Sequence, residues 1–214
     1  PDPEIALPGE NFNTVLWTGD GAASRSITGT GFQADMMWSK IRNSGHQHNL
    51  VDRVRGVDSN LLMPNQDSAE DTSPTHGWFD SLDSDGFTIT GAGGDWNVNT
   101  DTYLYAGWNW KAGGAPTADN DNTTGAMDAN SVALNGSLQA TYTPPGSPSI
   151  YPIKMSINTT NNLSIIEYTG TGSSATLPHG LGVKPALMIF KKTNTTDPWA
   201  VWAKDLAGDS TLNA

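Results

Sequence analysis

Apolar and polar positions alternate along short stretches of this chain, and glycine, proline and aspartate interrupt them at close intervals. That is the pattern of strands and tight turns. The clearest stretch runs from Thr102 to Trp110. A period of two puts Leu104, Ala106, Trp108 and Trp110 on one face and Tyr103, Tyr105, Gly107 and Asn109 on the other. The tryptophan face is expected to be buried, contributing about 2–3 kcal/mol per large side chain. Trp108→Ala should therefore damage folding before function. Strands are also expected at Asn13 to Thr18, Ser24 to Thr28 and Asp35 to Lys40, with weaker ones at Gln47 to Asp52 and Ser59 to Met63. Asp85-Gly86 turns a strand pair within Asp80 to Thr90. Asn135-Gly136 turns another between Val132–Leu134 and Leu138–Tyr142. Pro152 to Ile157 and Asn162 to Thr169 complete the set. No stretch carries a convincing helical period, and Asp205 to Ala214 has room for one turn at most.

The pattern recurs. Thr14-Val15-Leu16-Trp17-Thr18-Gly19-Asp20-Gly21 aligns with Ile165-Ile166-Glu167-Tyr168-Thr169-Gly170-Thr171-Gly172, an offset of 151 residues. The match continues without a gap through Gly29-Thr30-Gly31-Phe32 against Gly180-Leu181-Gly182-Val183 and through Asp35–Lys40 against Ala186–Lys191. With one inserted residue, Leu50–Gly56 then faces Trp202–Gly208. In each copy an apolar-aromatic strand enters Thr-Gly-x-Gly, and Gly-x-Gly precedes a second apolar strand ending in Lys. The first copy continues from Ser59 to about Gly114 and the second has no counterpart of that part. Half a sandwich leaves an open edge and an uncovered face. The chain, which opens at Pro1, is therefore expected to be a piece of a longer or assembled protein.

Composition agrees with strands. Glycine (23) and proline (13) are abundant, and of 22 acidic residues only 4 are Glu, leaving Asp, a turn and cap residue, as the main acid. The 8 tryptophans argue against wholesale disorder. A net charge of −11 is the wrong sign for nucleic acid. No apolar run approaches a membrane span. With no cysteine, disulfides, thiolate catalysis and cysteine-based zinc sites are excluded.

Candidate chemistry is sparse. Asp83-Ser84-Asp85-Gly86 and Asp119-Asn120-Asp121-Asn122 cluster oxygens that suit calcium, but neither has the closing Glu of an EF-hand, and both read as turns. His46 and His48 share one side of an extended stretch, without a third ligand at zinc spacing. No serine-nucleophile elbow, phosphate loop or paired-carboxylate strand stands out, so no catalytic residue is assigned, no metal site, and no cofactor is expected. Trp78, Trp96, Tyr103, Tyr105 and Trp199 are the candidate binding residues: they are either stacking platforms for sugars or aromatics packed in a core or subunit interface.

Thr18-Gly19-Asp20-Gly21, Ser26-Ile27-Thr28-Gly29-Thr30-Gly31-Phe32, Asp83-Ser84-Asp85-Gly86-Phe87-Thr88 and Trp108-Asn109-Trp110-Lys111-Ala112-Gly113-Gly114, in this order, resemble a repeated domain of unknown function in tail-fibre-like and other virion proteins of marine bacteriophages, especially phages of cyanobacteria. The resemblance covers about Asn13 to Gly114 and, in part, Leu163 to Gly208. Ala34 and Asn109 depart from it, standing where proline and cysteine are expected. It implies a structural or adhesive component located in the virion, with other virion proteins and further copies of the chain as partners, or host-surface glycans for an adhesin. Nucleic acid and membrane insertion are not expected. The resulting expectation is an all-β protein: an extended Pro-rich N-terminal arm (1–12), a β-sandwich-like domain (13–114), a linker with a β-hairpin (115–162) and a partial second copy (163–214).

Overall fold

In the computed structural model, which describes residues 8–58, 60–72, 77–91, 98–204 and 212–213, the alternating stretches become strands. They are β1 (Phe12–Thr18), β2 (Ser24–Thr28), β3 (Met36–Ile41), β4 (Asn49–Asp52), β5 (Trp78–Asp83), β6 (Gly86–Thr90), β7 (Leu104–Trp110), β8 (Val132–Leu134), β9 (Ser137–Leu138), β10 (Lys154–Asn158), β11 (Leu163–Glu167), β12 (Leu187–Phe190), β13 (Ala200–Ala203) and β14 (Leu212–Asn213). A single 3-10 turn, Pro8–Glu10, precedes β1. The prolines of the expected arm before residue 8 lie outside the described residues, as does most of the segment from Asp205. The expected strand at Ser59 to Met63 does not form: Leu61 and Leu62 make only single bridges, to Asp71 and Leu50.

The first unit is a sandwich. One sheet has the order β1-β7-β3-β4 and the other β2-β6-β5, every pairing antiparallel. The chain changes sheets between β1 and β2, β2 and β3, β4 and β5, and β6 and β7, so the two inner faces share one core. At its centre Trp17 stacks on Tyr105 (centroids 5.0 Å apart, 8° between planes) and meets Phe87 edge-on at 5.2 Å; Phe79 meets Phe87 at 5.8 Å. The Trp17 indole N–H donates to the Val98 carbonyl at 3.1 Å, and the Tyr105 hydroxyl accepts the Thr100 N–H at 2.9 Å, so both polar tips are satisfied.

This packing reverses the expected sidedness of β7. Its alternation is as read, but Tyr105, Gly107 and Asn109 point into the core and are buried, while on the outer face Trp108 and Trp110 are half-buried, Leu104 is exposed and only the small Ala106 is buried. The reason is volume. A Cβ at Gly107 would stand 2.6 Å from Met37 Cε and 3.1 Å from Trp17 Cζ3, so this narrow position is what admits those two large side chains. Asn109, fully buried, donates to the Gly107 carbonyl at 3.0 Å and the Asn13 carbonyl at 3.3 Å.

Beyond β7 the chain enters a third sheet, of order β11-β10-β8-β9, in which β8 and β10 run parallel. Met127, Val132, Met155, Ile157 and Leu181 form its core. Asn135 and Gly136 both take positive φ (50° and 86°) and join β8 to β9 as a tight hairpin. The loop before β8 is tied down by Asn120, whose side-chain amide donates to the carbonyls of Pro152 (2.9 Å) and Asn122 (3.0 Å) and accepts the Asp128 N–H at 2.9 Å.

The motif Ala112-Gly113-Gly114 is the junction between the first unit and this third sheet. Asp35 Oδ2 accepts the N–H groups of Ala112 (2.8 Å) and Gly114 (3.2 Å), and Asp35 Oδ1 pairs with Arg53 at 2.9 Å. Ser156 Oγ accepts the Gly113 N–H at 2.9 Å, and Asn158 donates to the Ala112 carbonyl at 3.2 Å. Gly113 lies so close to β8 and β10 that any Cβ would run into the carbonyl oxygens of Ala133 and Ile157. Glycine is required there by proximity of backbone.

Candidate functional site

The four candidate aromatics among the described residues do not converge. Tyr105 is a core residue, 1% exposed, and offers no face to a ligand. Tyr103 packs partly buried beside the core with His46 6.0 Å from its ring. Trp78 begins β5, half-buried and paired with Thr90. Trp96 lies outside the described residues. Trp199 is buried: its indole N–H donates to the carbonyls of Met63 (3.3 Å) and Gln66 (2.9 Å), and with Pro64, Asn65, Gln66 and Asp67 it lines a cavity of about 350 Å3. Around it the Glu70 N–H donates to Thr193 O and the Asp197 N–H to Asp67 O, both at 2.8 Å. Trp199 thus fastens the β12–β13 loop to the first unit.

A different aromatic group does assemble. On the outer face of the four-stranded sheet Phe12 is paired across to Trp110, and Trp108 to Trp38. The rings of Phe12 and Trp110 lie 5.1 Å apart. The Trp38 indole N–H donates to His48 Nδ1 at 2.9 Å. Burial, and secondarily Lys40, hold His48 below the ordinary imidazole range. The period of two already placed Trp108 with Trp110. It could not say that this side faces outward.

The motif carboxylates are occupied locally. Asp83 accepts from Ser81 Oγ (2.7 Å) and Thr88 Oγ1 (2.9 Å), and Asp85 Oδ1 accepts the Gly31 N–H at 2.6 Å. Asp119 pairs with Lys154 at 3.0 Å. Among the described residues no group of three or more His, Asp or Glu side chains is placed to hold a metal ion. The strongest charged cluster is Asp52–Arg55–Glu70: Asp52 Oδ2 accepts from Arg55 Nε at 2.7 Å, and Glu70 accepts from Arg55 Nη1. Burial opposes the Arg55 charge, and Asp52 and Glu70 more than offset it, so its pKa is raised. The cluster braces the segment after β4. Nearby, burial raises the Glu167 pKa against the pull of Lys154, 3.8 Å away.

The second copy keeps the frame of the first. β3 pairs with β4 as Met36↔Asp52 through Ser39↔Asn49, and β12 with β13 as Leu187↔Ala203 through Phe190↔Ala200. Every partner is shifted by 151 residues, so the inserted residue expected from the letters is absent. The same 2.9 Å bond closes each pair, from the Arg53 N–H to Asp35 O and from the Lys204 N–H to Ala186 O. Surroundings differ. Trp17 is 6% exposed and its counterpart Tyr168 37%; Phe32 6% and Val183 53%; Ser39 1% and Phe190 37%. Leu187 and Ile189 are also exposed. Positions that the first copy covers are open in the second.

Comparison with known proteins adds a family and no activity. The family model described as "Domain of unknown function (DUF7483)" matches residues 7–150 and again residues 136–213. Two overlapping matches agree with the internal repeat. No curated protein and no solved structure matches the chain significantly.

Proposed function

We propose that this chain, which belongs to the DUF7483 family of unknown function, is a non-catalytic building block of a bacteriophage particle, acting in a tail fibre, tail or particle surface through protein–protein assembly. The observation that carries the assembly reading is the number of apolar side chains exposed in the second copy. Tyr168, Val183, Leu187, Ile189 and Phe190 are exposed where the first copy buries or covers the equivalent positions. Large apolar groups left exposed on both faces of β12 and on the loops beside it favour burial against a partner. The phage setting rests on the resemblance of the glycine-punctuated motifs to virion repeats of marine bacteriophages. In salt water the Debye length is only a few Å, so the repulsion between copies carrying −11 would be largely screened.

Light scattering on the protein across a concentration series tests this. Association that increases with salt and is lost in Ile189→Lys, with the circular dichroism unchanged, supports the reading. A wild-type protein that stays monomeric at high salt, alone and mixed with other particle proteins, defeats it.

The outward row Phe12, Trp110, Trp108 and Trp38 supports a second reading, an adhesin that stacks host-surface sugars on this face. A glycan array on wild type and Trp108→Ala separates the two. Specific binding that disappears in a stably folded variant favours the adhesin.

A further inference from the structure

In an antiparallel strand the N–H and C=O of one residue point to the same side and those of the next residue to the other. That rule gives the direction of each edge. In the first copy the Gly19 N–H donates to Tyr103 O, so Asn13, Val15 and Trp17 turn towards β7. Their counterparts are Ser164, Ile166 and Tyr168. The Ile153 N–H donates to Glu167 O, which turns Leu163, Ile165 and Glu167 towards β10 and leaves Ser164 and Ile166 facing away. On the other flank the Arg42 N–H donates to Leu104 O, so Met36, Trp38 and Lys40 turn towards β7. In the second copy the bond from Lys204 to Ala186 O fixes the even residues of β12 on β13, and Leu187 and Ile189 face away. Both edges that hold β7 in the first copy are therefore present in the second. Among the described residues, no strand pairs with either one.

We propose that these two edges, of β11 and β12, are the seat of a β7-type strand that joins them into one sheet, as β7 joins β1 to β3. This names the occupant of the open side and rests on the assembly reading. The occupant is an extended segment with the alternation of β7, supplied by a unit of the same repeat in which that strand is not already held between a β1 and a β3. The β7 of a second copy of this chain is unsuited, because it is held by β1 over seven residue pairs and by β3 over six. Register specifies its chemistry. Val15 and Ser39 both pair with Gly107, so the incoming residue that faces Ile166 and Phe190 is glycine. Phe190 is far larger than the Ser39 it replaces, which tightens that requirement.

The test is amide hydrogen exchange on the 214-residue protein with a synthetic peptide of the sequence Thr102–Gly114, offered free and also fused through a flexible linker after Ala214. Exchange at Ser164, Ile166, Leu187 and Ile189 should slow by about tenfold or more. A peptide carrying Gly107→Val should fail to slow it. The variant Ile189→Pro should keep the β12–β13 pair, since the lost N–H points outward, yet lose the response. No slowing in either format, slowing at one edge only, or loss of the β12–β13 pair in Ile189→Pro overturns the proposal. Self-association that persists without protection of these amides would remove the seat and leave the assembly reading standing. Protection by the peptide in a protein that never associates would do the reverse.

Discussion

The reversed sidedness of β7 gives the sharpest stability test. Tyr105 is fully buried, stacks on Trp17 at 5.0 Å and accepts a hydrogen bond from the Thr100 N–H. Cutting such a ring back to alanine costs about 3–5 kcal/mol, because a cavity is left beside residues that cannot collapse into it. Trp108 is the larger side chain but only partly buried, on an outer face where solvent fills the space it leaves, so Trp108→Ala forfeits burial without opening a core cavity, about 2 kcal/mol. For a chain of this length about 2–4 °C of melting temperature accompanies each kcal/mol. Tyr105→Ala should then lower Tm by about 6–20 °C and Trp108→Ala by about 4–8 °C. Urea unfolding followed by far-UV circular dichroism, with calorimetry for Tm, avoids relying on tryptophan fluorescence. A Trp108→Ala variant as unstable as Tyr105→Ala would refute the assignment of the core to the Tyr105 face.

Further predictions address the junction, the charged brace and the outer face. Gly113→Ala should cost about 3 kcal/mol or more in urea melts, since backbone oxygens of two strands cannot rotate away from the added methyl. Arg55→Ala should cost about 3–5 kcal/mol by leaving Asp52 and Glu70 without their shared cation, and a variant that also carries Asp52→Asn and Glu70→Gln should recover part of it. The His48 pKa is lowered on folding, so the unfolded chain takes up its proton first as the solution is acidified. Its contribution to stability is complete above about pH 6.5, declines below that and levels off under the folded pKa. Melts from pH 8 to pH 5 should show a shallower acid decline in His48→Gln than in wild type.

The local elements were legible in the sequence because their causes are local. Asn135-Gly136 supplies positive φ, so the β8–β9 hairpin falls where the letters put it. Ser24 to Thr28 becomes β2 without adjustment, and the offset of 151 residues survives as an identical strand register. The sheet of β8, β10 and β11 was less legible. Its core is built from Met127, Val132, Met155, Ile157 and Leu181, far apart along the chain and drawn partly from loops. Trp199 was singled out as an aromatic, but its role as a fastener on the 63–67 loop depends on contacts 133 and 136 residues away.

The sequence by itself determined an all-β chain, its turns, its repeat and the grouping of side chains on each strand, because backbone geometry and turn chemistry act over a few residues. Which face of a strand is the inside was decided only in three dimensions. Alternation divides β7 into two sets and assigns neither to the core. The choice fell to the volume that Trp17 and Met37 occupy above Gly107, side chains brought there from the two strands that flank β7, with Phe87 of the opposite layer set against Trp17. The unpaired edges of β11 and β12 were decided in the same way, since an open edge is a relation between strands and not a property of either.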